Sequence, residues 1–295
     1  MNNIYLKVPK KEEIHYRKEW MIDPDTMNYN AGYDLELKGY NKKNGTIYKS
    51  DEELSVWYDK WIGVDNKYLA FVYIDDVEEP IGEVYYYLDD DNKYHMGILI
   101  ISKYRGYGYS YYALKELQRV AFIDNNINEL IDVIPVNRVS AIKTFKKAGF
   151  IDTDNISYEK CFNEKIRCQE LLITKDKFYN SLEKWRFNND ELLDLVLSDR
   201  KKATSSIYNK SNNYDVYSIL TDSQNNNKCI LKTIETRIYK FCDVSEDIAI
   251  LEGEGDLSIN YWKKVHKEFF SKIDEKFNDD ILILTEIFEI VKIFD

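Results

Sequence analysis

Apolar positions in the first half of the chain alternate between two periods. Tyr68 to Ile74 is an aromatic and aliphatic run that reads as a strand, and Asp75 and Asp76 turn it into a second run, Ile81 to Leu88. A turn at Asp89 to Asn92 leads into Tyr94 to Ile100, so an antiparallel meander is expected. The period then lengthens. Leu114, Leu117 and Ala121 recur three and four residues apart within Tyr111 to Phe122, the stripe of an amphipathic helix. Leu130 to Val136 reads as a strand, and Val139, Ile142 and Phe145 mark another helix that Gly149 can end in a left-handed cap. Ile166 to Ile173 offers a late strand, while residues 11–20 and 50–62 read as earlier helices anchored by Trp20, Trp57 and Trp61.

After Lys175 the pattern restarts. Leu192, Leu193, Val196 and Leu197 form a stripe within Asp190 to Ser198. Tyr214 to Thr221 and Cys229 to Tyr239 are strand-like and flank a turn at Asn225 to Asn227. Tyr261 to Phe269 is helical in pattern, and Ile281 to Phe294 is a closing strand. The expected fold is α+β (mixed α/β): a domain over 1–174 with a central mixed sheet, then a compact β-barrel over 175–295. A length of 295 residues fits two domains of about 150.

Composition narrows the chemistry. The net charge of −11, spread over both halves, disfavours electrostatic capture of long nucleic acid, and a small amine or single nucleoside fits better. Cys161, Cys168, Cys229 and Cys242 form no CxxC pair and only three histidines accompany them, so reduced thiols and no metal site are expected. No apolar run reaches about 18 residues and the first twenty residues are charged, so a cytoplasmic protein without a membrane partner is expected.

The most informative run is Ile98, Leu99 and Ile100, followed by Arg105, Gly106, Tyr107, Gly108, Tyr109 and Ser110. A strand that breaks into glycines and opens a helix suits phosphate, because first-turn amides lack helical partners and the helix dipole favours an anion. Gly-x-Gly alone is often only a tight turn. The absence of GK[ST] argues against a P-loop, and the missing third glycine and antiparallel feeder strands argue against a dinucleotide site.

With the downstream stretch from Arg138 to Phe150, these residues resemble the GCN5-related N-acetyltransferase (GNAT) family over about 10–174. Its pyrophosphate motif, Arg/Gln-x-x-Gly-x-Gly/Ala, is met by Arg105, Gly108 and Ser110. The resemblance implies acetyl-CoA as donor, fourth and fifth strands that splay around its pantetheine arm, and amides at 106–110 on the pyrophosphate. Arg105 either joins that set or supports the loop. The acyl carbonyl is expected beside Ile98 to Ile100, and Arg138, Ala141 and Phe145 count among the cofactor-binding residues. Phe145 stands where the family often has a tyrosine acid and lacks a transferable proton, so it packs in the core or against the cofactor. Arg138 stands where an asparagine is common.

Glu83, polar in an apolar and aromatic strand, is the candidate general base. Its bland alternatives are a solvent-facing residue or a binder of a cationic substrate. Asp23, Asp25, Asp34 and Glu36, with Tyr29 and Tyr33, are expected either to attract an ammonium group or to form an ordinary acidic loop.

The second half resembles the ASCH family, a barrel related to the PUA RNA-binding fold, over about 185–295. Leu197 to Ser205, Glu252 to Asp256, Tyr261 and Trp262 carry this resemblance. It implies Lys201, Thr204 and Glu252 as an amidohydrolase trio toward N4-acetylcytidine: a lysine that eases deprotonation, a threonine nucleophile and a glutamate that handles protons. Arg200 and Lys202 could instead make the trio a phosphate-binding rim. The leading expectation is acetyl transfer to an amine of a small molecule or modified base, with a nucleoside or RNA ligand at the second domain. The alternatives are a bifunctional protein that also removes acetyl, or a binding module with a non-catalytic transferase fold. A homodimer is compatible with the resemblance.

Overall fold

The computed structural model describes residues 4–75, 77–209 and 216–294. The chain divides into two compact units, 4–181 and 182–294 among those residues.

The first unit is built on a seven-stranded sheet: β1 (Ile4–Lys7), β2 (Lys67–Ile74), β3 (Gly82–Leu88), β4 (Tyr94–Ile100), β5 (Glu129–Pro135), β6 (Ile151–Cys161) and β7 (Glu164–Thr174). Their spatial order is β1-β2-β3-β4-β5-β7-β6. Each pair is antiparallel except β4 and β5, which run parallel and share one bridge, His95 with Ile131. The two strands touch near their starts and part beyond that bridge.

Helices α1 (Ile14–Ile22), α2 (Pro24–Met27) and α3 (Asp51–Asp59) precede β2. Ser50 caps α3 and Glu53 closes the reciprocal bond, so the chain enters this helix at a fixed point. Trp20, Met27, Leu69, Phe71, Tyr73 and Leu99 form a buried cluster, with Trp57, Trp61 and Tyr85 packed against it. Helix α4 (Tyr109–Arg119) follows β4 and buries Leu114 and Leu117, and α5 (Val139–Lys147) follows β5. Phe145 of α5 is buried, its ring 4.9 Å from that of Phe150. The unit ends with α6 (Lys175–Ser181).

The expected meander holds its register: Phe71 pairs with Glu83, and Glu83 with Leu99. The hairpin of β6 and β7 exceeds the single late strand expected. Most of β6 is exposed, so no buried face imposes an apolar alternation on it.

The second unit holds a five-stranded sheet of β8 (Glu183–Trp185), β9 (Ala203–Ile207), β10 (Tyr217–Thr221), β11 (Asn227–Lys240) and β12 (Leu282–Ile293), in the order β8-β10-β11-β12-β9. Register shifts in the pairing of β11 with β12 accompany its curling into a half-barrel of the ASCH and PUA-like kind. The strand expected from Tyr214 begins at Tyr217, and residues 214 and 215 lie outside the described residues. Helices α7 (Asp190–Leu197), α8 (Glu246–Glu252) and α9 (Ile259–Ile273) complete the unit. Its core joins Phe241, Ile248, Trp262, Phe270 and Ile283. Among the described residues no helix is long and apolar enough to cross a membrane.

Candidate functional site

In the first unit, Ile98, Leu99 and Ile100 pair with Val84, Glu83 and Gly82 on one side. On the other side they lie beyond the single bridge to β5. The strand then turns through Ser102–Tyr104 into the glycines. Gly106 and Gly108 both have φ of +85°, which L side chains rarely adopt, and a Cβ built at either would meet no protein atom within 4 Å. Gly108 is the N-cap of α4, no side chain caps the helix, and no acidic residue stands in its first turn. An open, uncapped helix start beside a parted pair of strands suits a phosphate-bearing ligand with an extended arm. Tyr107 is 71% exposed, with its ring 6.0 Å from that of Tyr109.

Arg105 turns inward from this cradle. Its Nε donates to the carbonyl of Ile100 at 2.9 Å, and Nη1 to that of Asp25 at 3.2 Å; Nη2 donates to the carbonyl of Thr26. It therefore ties the loop to α2. Arg138 does similar work from the start of α5: Nη2 donates to the Tyr29 carbonyl at 2.8 Å, and its guanidinium lies 5.0 and 5.2 Å from the rings of Tyr29 and Tyr33. Two of the four acidic residues of this segment are engaged too. Asp23 caps α2, accepting from the amides of Asp25 and Thr26 at 3.1 Å, and Asp34 pairs with Lys42 and Lys160.

Glu83 is 4% exposed and faces Arg17, whose Nε lies 2.9 and 3.2 Å from the two carboxylate oxygens. Arg17 in turn sits 4.1 Å from the centroid of Trp57. Trp57, Trp61, Tyr85 and Tyr87 continue as an aromatic group, with Trp61 5.3 Å from Tyr85 and 5.9 Å from Tyr87. Burial, and then the charge of Glu83, push the Tyr85 hydroxyl well above its ordinary range. Asp132 of β5 directly follows the bridge residue Ile131, and burial pushes its carboxyl up to about 7.

The second unit gathers Lys201, Thr204 and Glu252 around one cavity of about 610 Å³, also lined by Trp185, Phe187 and Tyr261. Lys201 is 2% exposed; its Nζ lies 2.8 Å from Glu252 Oε2 and 2.6 Å from Glu254 Oε1. Trp262 Nε1 donates to Glu252 Oε1 at 2.9 Å, and His266 Nε2 is 3.5 Å from Oε2. Burial alone would raise the Glu252 carboxyl. Lys201 and then His266 outweigh burial and hold it down to about 2. The hinge of this grip is Gly253, which ends α8 at φ +69°; a Cβ there would lie 2.3 Å from the Arg200 carbonyl oxygen. The close approach brings the strand entry at Lys201 against both glutamates.

The model of the acetyltransferase (GNAT) domain matches residues 4–151, half of the chain. The chain belongs to the GNAT family. Following its GNAT domain, the ASCH domain model matches residues 182–292. Among solved structures, an ASCH domain from Lactobacillus crispatus JV V101 is 28% identical, with 40% of this chain and 83% of that chain covered at a TM-score of 0.36. A spermidine N-acetyltransferase from Vibrio cholerae, solved in complex with CoA and spermine, is 16% identical, with 60% of this chain and 98% of that chain covered at a TM-score of 0.49. No curated protein matches the chain.

Within the GNAT domain the glycine turn and the end of β4 adjoin one opening, whereas Arg105, Arg138 and Phe145 are engaged with the protein itself. Ala141 is half-buried in the first turn of α5. In the ASCH domain all three expected residues line one cavity, together with Glu254 and His266, which sequence reasoning missed. The signal for Glu254 was its place in the run from Glu252 to Asp256. For His266 it was the four-residue helical spacing from Trp262. Asp132, an acid inside the apolar run Leu130 to Val136, also went unread.

Proposed function

We propose that the GNAT domain transfers acetyl from acetyl-CoA to a primary amine of a small molecule or modified base. The observation that carries this reading is the parting of β4 from β5 after one bridge, directly beside an uncapped glycine turn. Acetyl-CoA supplies an activated thioester carbonyl, and this chain supplies the seat. Amides of residues 106–110 face the pyrophosphate, and the backbone at Ile98 to Ile100 offers hydrogen bonds to the developing oxyanion. Trp57, Trp61, Tyr85 and Tyr87 present aromatic surface suited to a cationic acceptor. Four unpaired cysteines fit the reducing cytoplasm.

Calorimetry with acetyl-CoA on the full chain tests the donor: saturable binding is expected, and its absence removes the reading. An amine library with detection of free CoA thiol then identifies the acceptor.

The convergence of Lys201, Thr204 and Glu252 on one cavity favours a second activity for the ASCH domain, hydrolysis of an N-acylated nucleoside. Thr204 is the nucleophile in this reading, while Glu252 and Glu254 fix Lys201 on the wall of the same cavity. Aromatic walls at Trp185, Phe187 and Tyr261 suit a planar base. Incubation with N4-acetylcytidine should release cytidine, and T204A should abolish that release. A folded wild type that leaves the nucleoside intact restricts the cavity to binding.

A further inference from the structure

We propose that Asp132 is the proton acceptor for the amine in the acetyltransferase cleft, a role that rests on the transferase reading above. Its position is the first argument. It follows the one β5 residue bridged to β4 and so stands where the strands begin to part.

Its partners are the second argument. Among the described residues, its hydrogen bond is from the neighbouring Val133 amide at 2.8 Å, and no ion pair forms on it. Glu83 of β3, by contrast, has a guanidinium against both oxygens.

The groups around Asp132 complete the case. From β3 come the hydroxyls of Tyr85 and Tyr87, whose electrostatic influence it shares. From β4 comes His95, the register neighbour of Ile131, whose Nε2 lies 2.7 Å from Asp89. From β7 the partner is apolar Leu171. The cation that acts on it is Arg138, the N-cap of α5, already bonded to the Tyr29 carbonyl. Burial outweighs both Arg138 and the Val133 amide, so the carboxyl exchanges its proton near neutrality, where a general base works best.

The step balances without a further reagent. Asp132 carboxylate takes one proton from the acceptor ammonium, directly or through a water. The freed nitrogen lone pair forms the N–C bond to the acetyl carbon as the C–S bond breaks. Sulfur leaves with the bonding pair and takes the second nitrogen proton. Asp132 then returns its proton to solvent.

Two measurements on the full chain test this. Carbon-13 NMR of aspartate-labelled protein should show one carboxyl resonance moving through neutral pH and missing from the near-isosteric D132N. Acetyl transfer to spermidine, or to the best amine of the library, should lose at least about 100-fold in kcat in D132N. The ascending limb of kcat/KM near pH 7 should vanish in D132N and persist in E83Q, with acetyl-CoA affinity unchanged in both. A wild-type pH profile and rate in D132N, or no carboxyl titrating near neutrality, overturns the inference alone. A wild type without acetyl-CoA binding, or without transfer to any amine, overturns the transferase reading and this inference with it.

Discussion

Lys201 shows how a single buried charge is held by its surroundings. Two carboxylates lie within 2.8 Å of its nitrogen, and its side chain is 1% exposed. Replacing it with methionine leaves Glu252 buried without its cation, and we expect a loss of about 3–5 kcal/mol by denaturation at pH 7. K201M/E252Q should recover much of it. Because the folded-state Glu252 carboxyl is depressed to about 2 from an ordinary 4.5, its contribution is present above pH 4.5 and is lost as pH falls toward 2. E252Q should flatten that part of the stability profile. Asp132 has the opposite sign. Its folded pKa of about 7 exceeds the ordinary 3.8, so native stability drops as pH rises from about 4 to 7. D132N should therefore unfold at higher temperature than wild type above pH 7. Trading stability for a neutral-range proton site is a pattern expected of catalytic groups. Residue types at the Lys201 cavity were legible because their spacing resembles a family motif. The environment of Asp132 was not, because one acid in a strand reads the same whether it faces open water or, half-buried, the parting of two strands.

The start of α4 joins local geometry to the ligand capture proposed for it. Gly108 at φ +85° lets the chain leave β4 and enter the helix without a side-chain cap. G108A should cost about 1–2 kcal/mol of stability through the left-handed conformation and weaken acetyl-CoA binding, as read by calorimetry. Elements with a buried stripe were readable from period alone, as with Leu114 and Leu117 of α4. The polar strand β6 was not, since it has no buried face to impose an alternation, and the short β9 was not, since its pairing is decided by a partner far away in sequence, Thr204 with Glu286. Arg105 and Arg138 illustrate the same limit at the site. The motif located them, but only the fold revealed that carbonyls of residues 25, 26 and 29 claim their guanidinium groups.

At the scale of the whole molecule, each unit has its own sheet and its own buried aromatic cluster. The two proposed chemistries thus need no shared core, and each should be removable by substitution in its own domain: T204A should leave acetyl-CoA binding intact by calorimetry. The division into two was legible because the hydrophobic pattern restarts after Lys175. In the first unit, the parting of β4 and β5 has a further consequence for hydration. Backbone groups in the middle of a sheet ordinarily bond to the next strand, and those facing the gap beyond His95 and Ile131, apart from the Val133 amide that Asp132 takes, must instead be served by solvent until a guest arrives. A donor carrying amides along its arm can take over that service, so binding resembles the late addition of a strand. Amide exchange at Met96 to Ile100 and at Asp132 to Ile134 should slow when acetyl-CoA is added, marking a sheet whose last hydrogen bonds are supplied from outside the polypeptide.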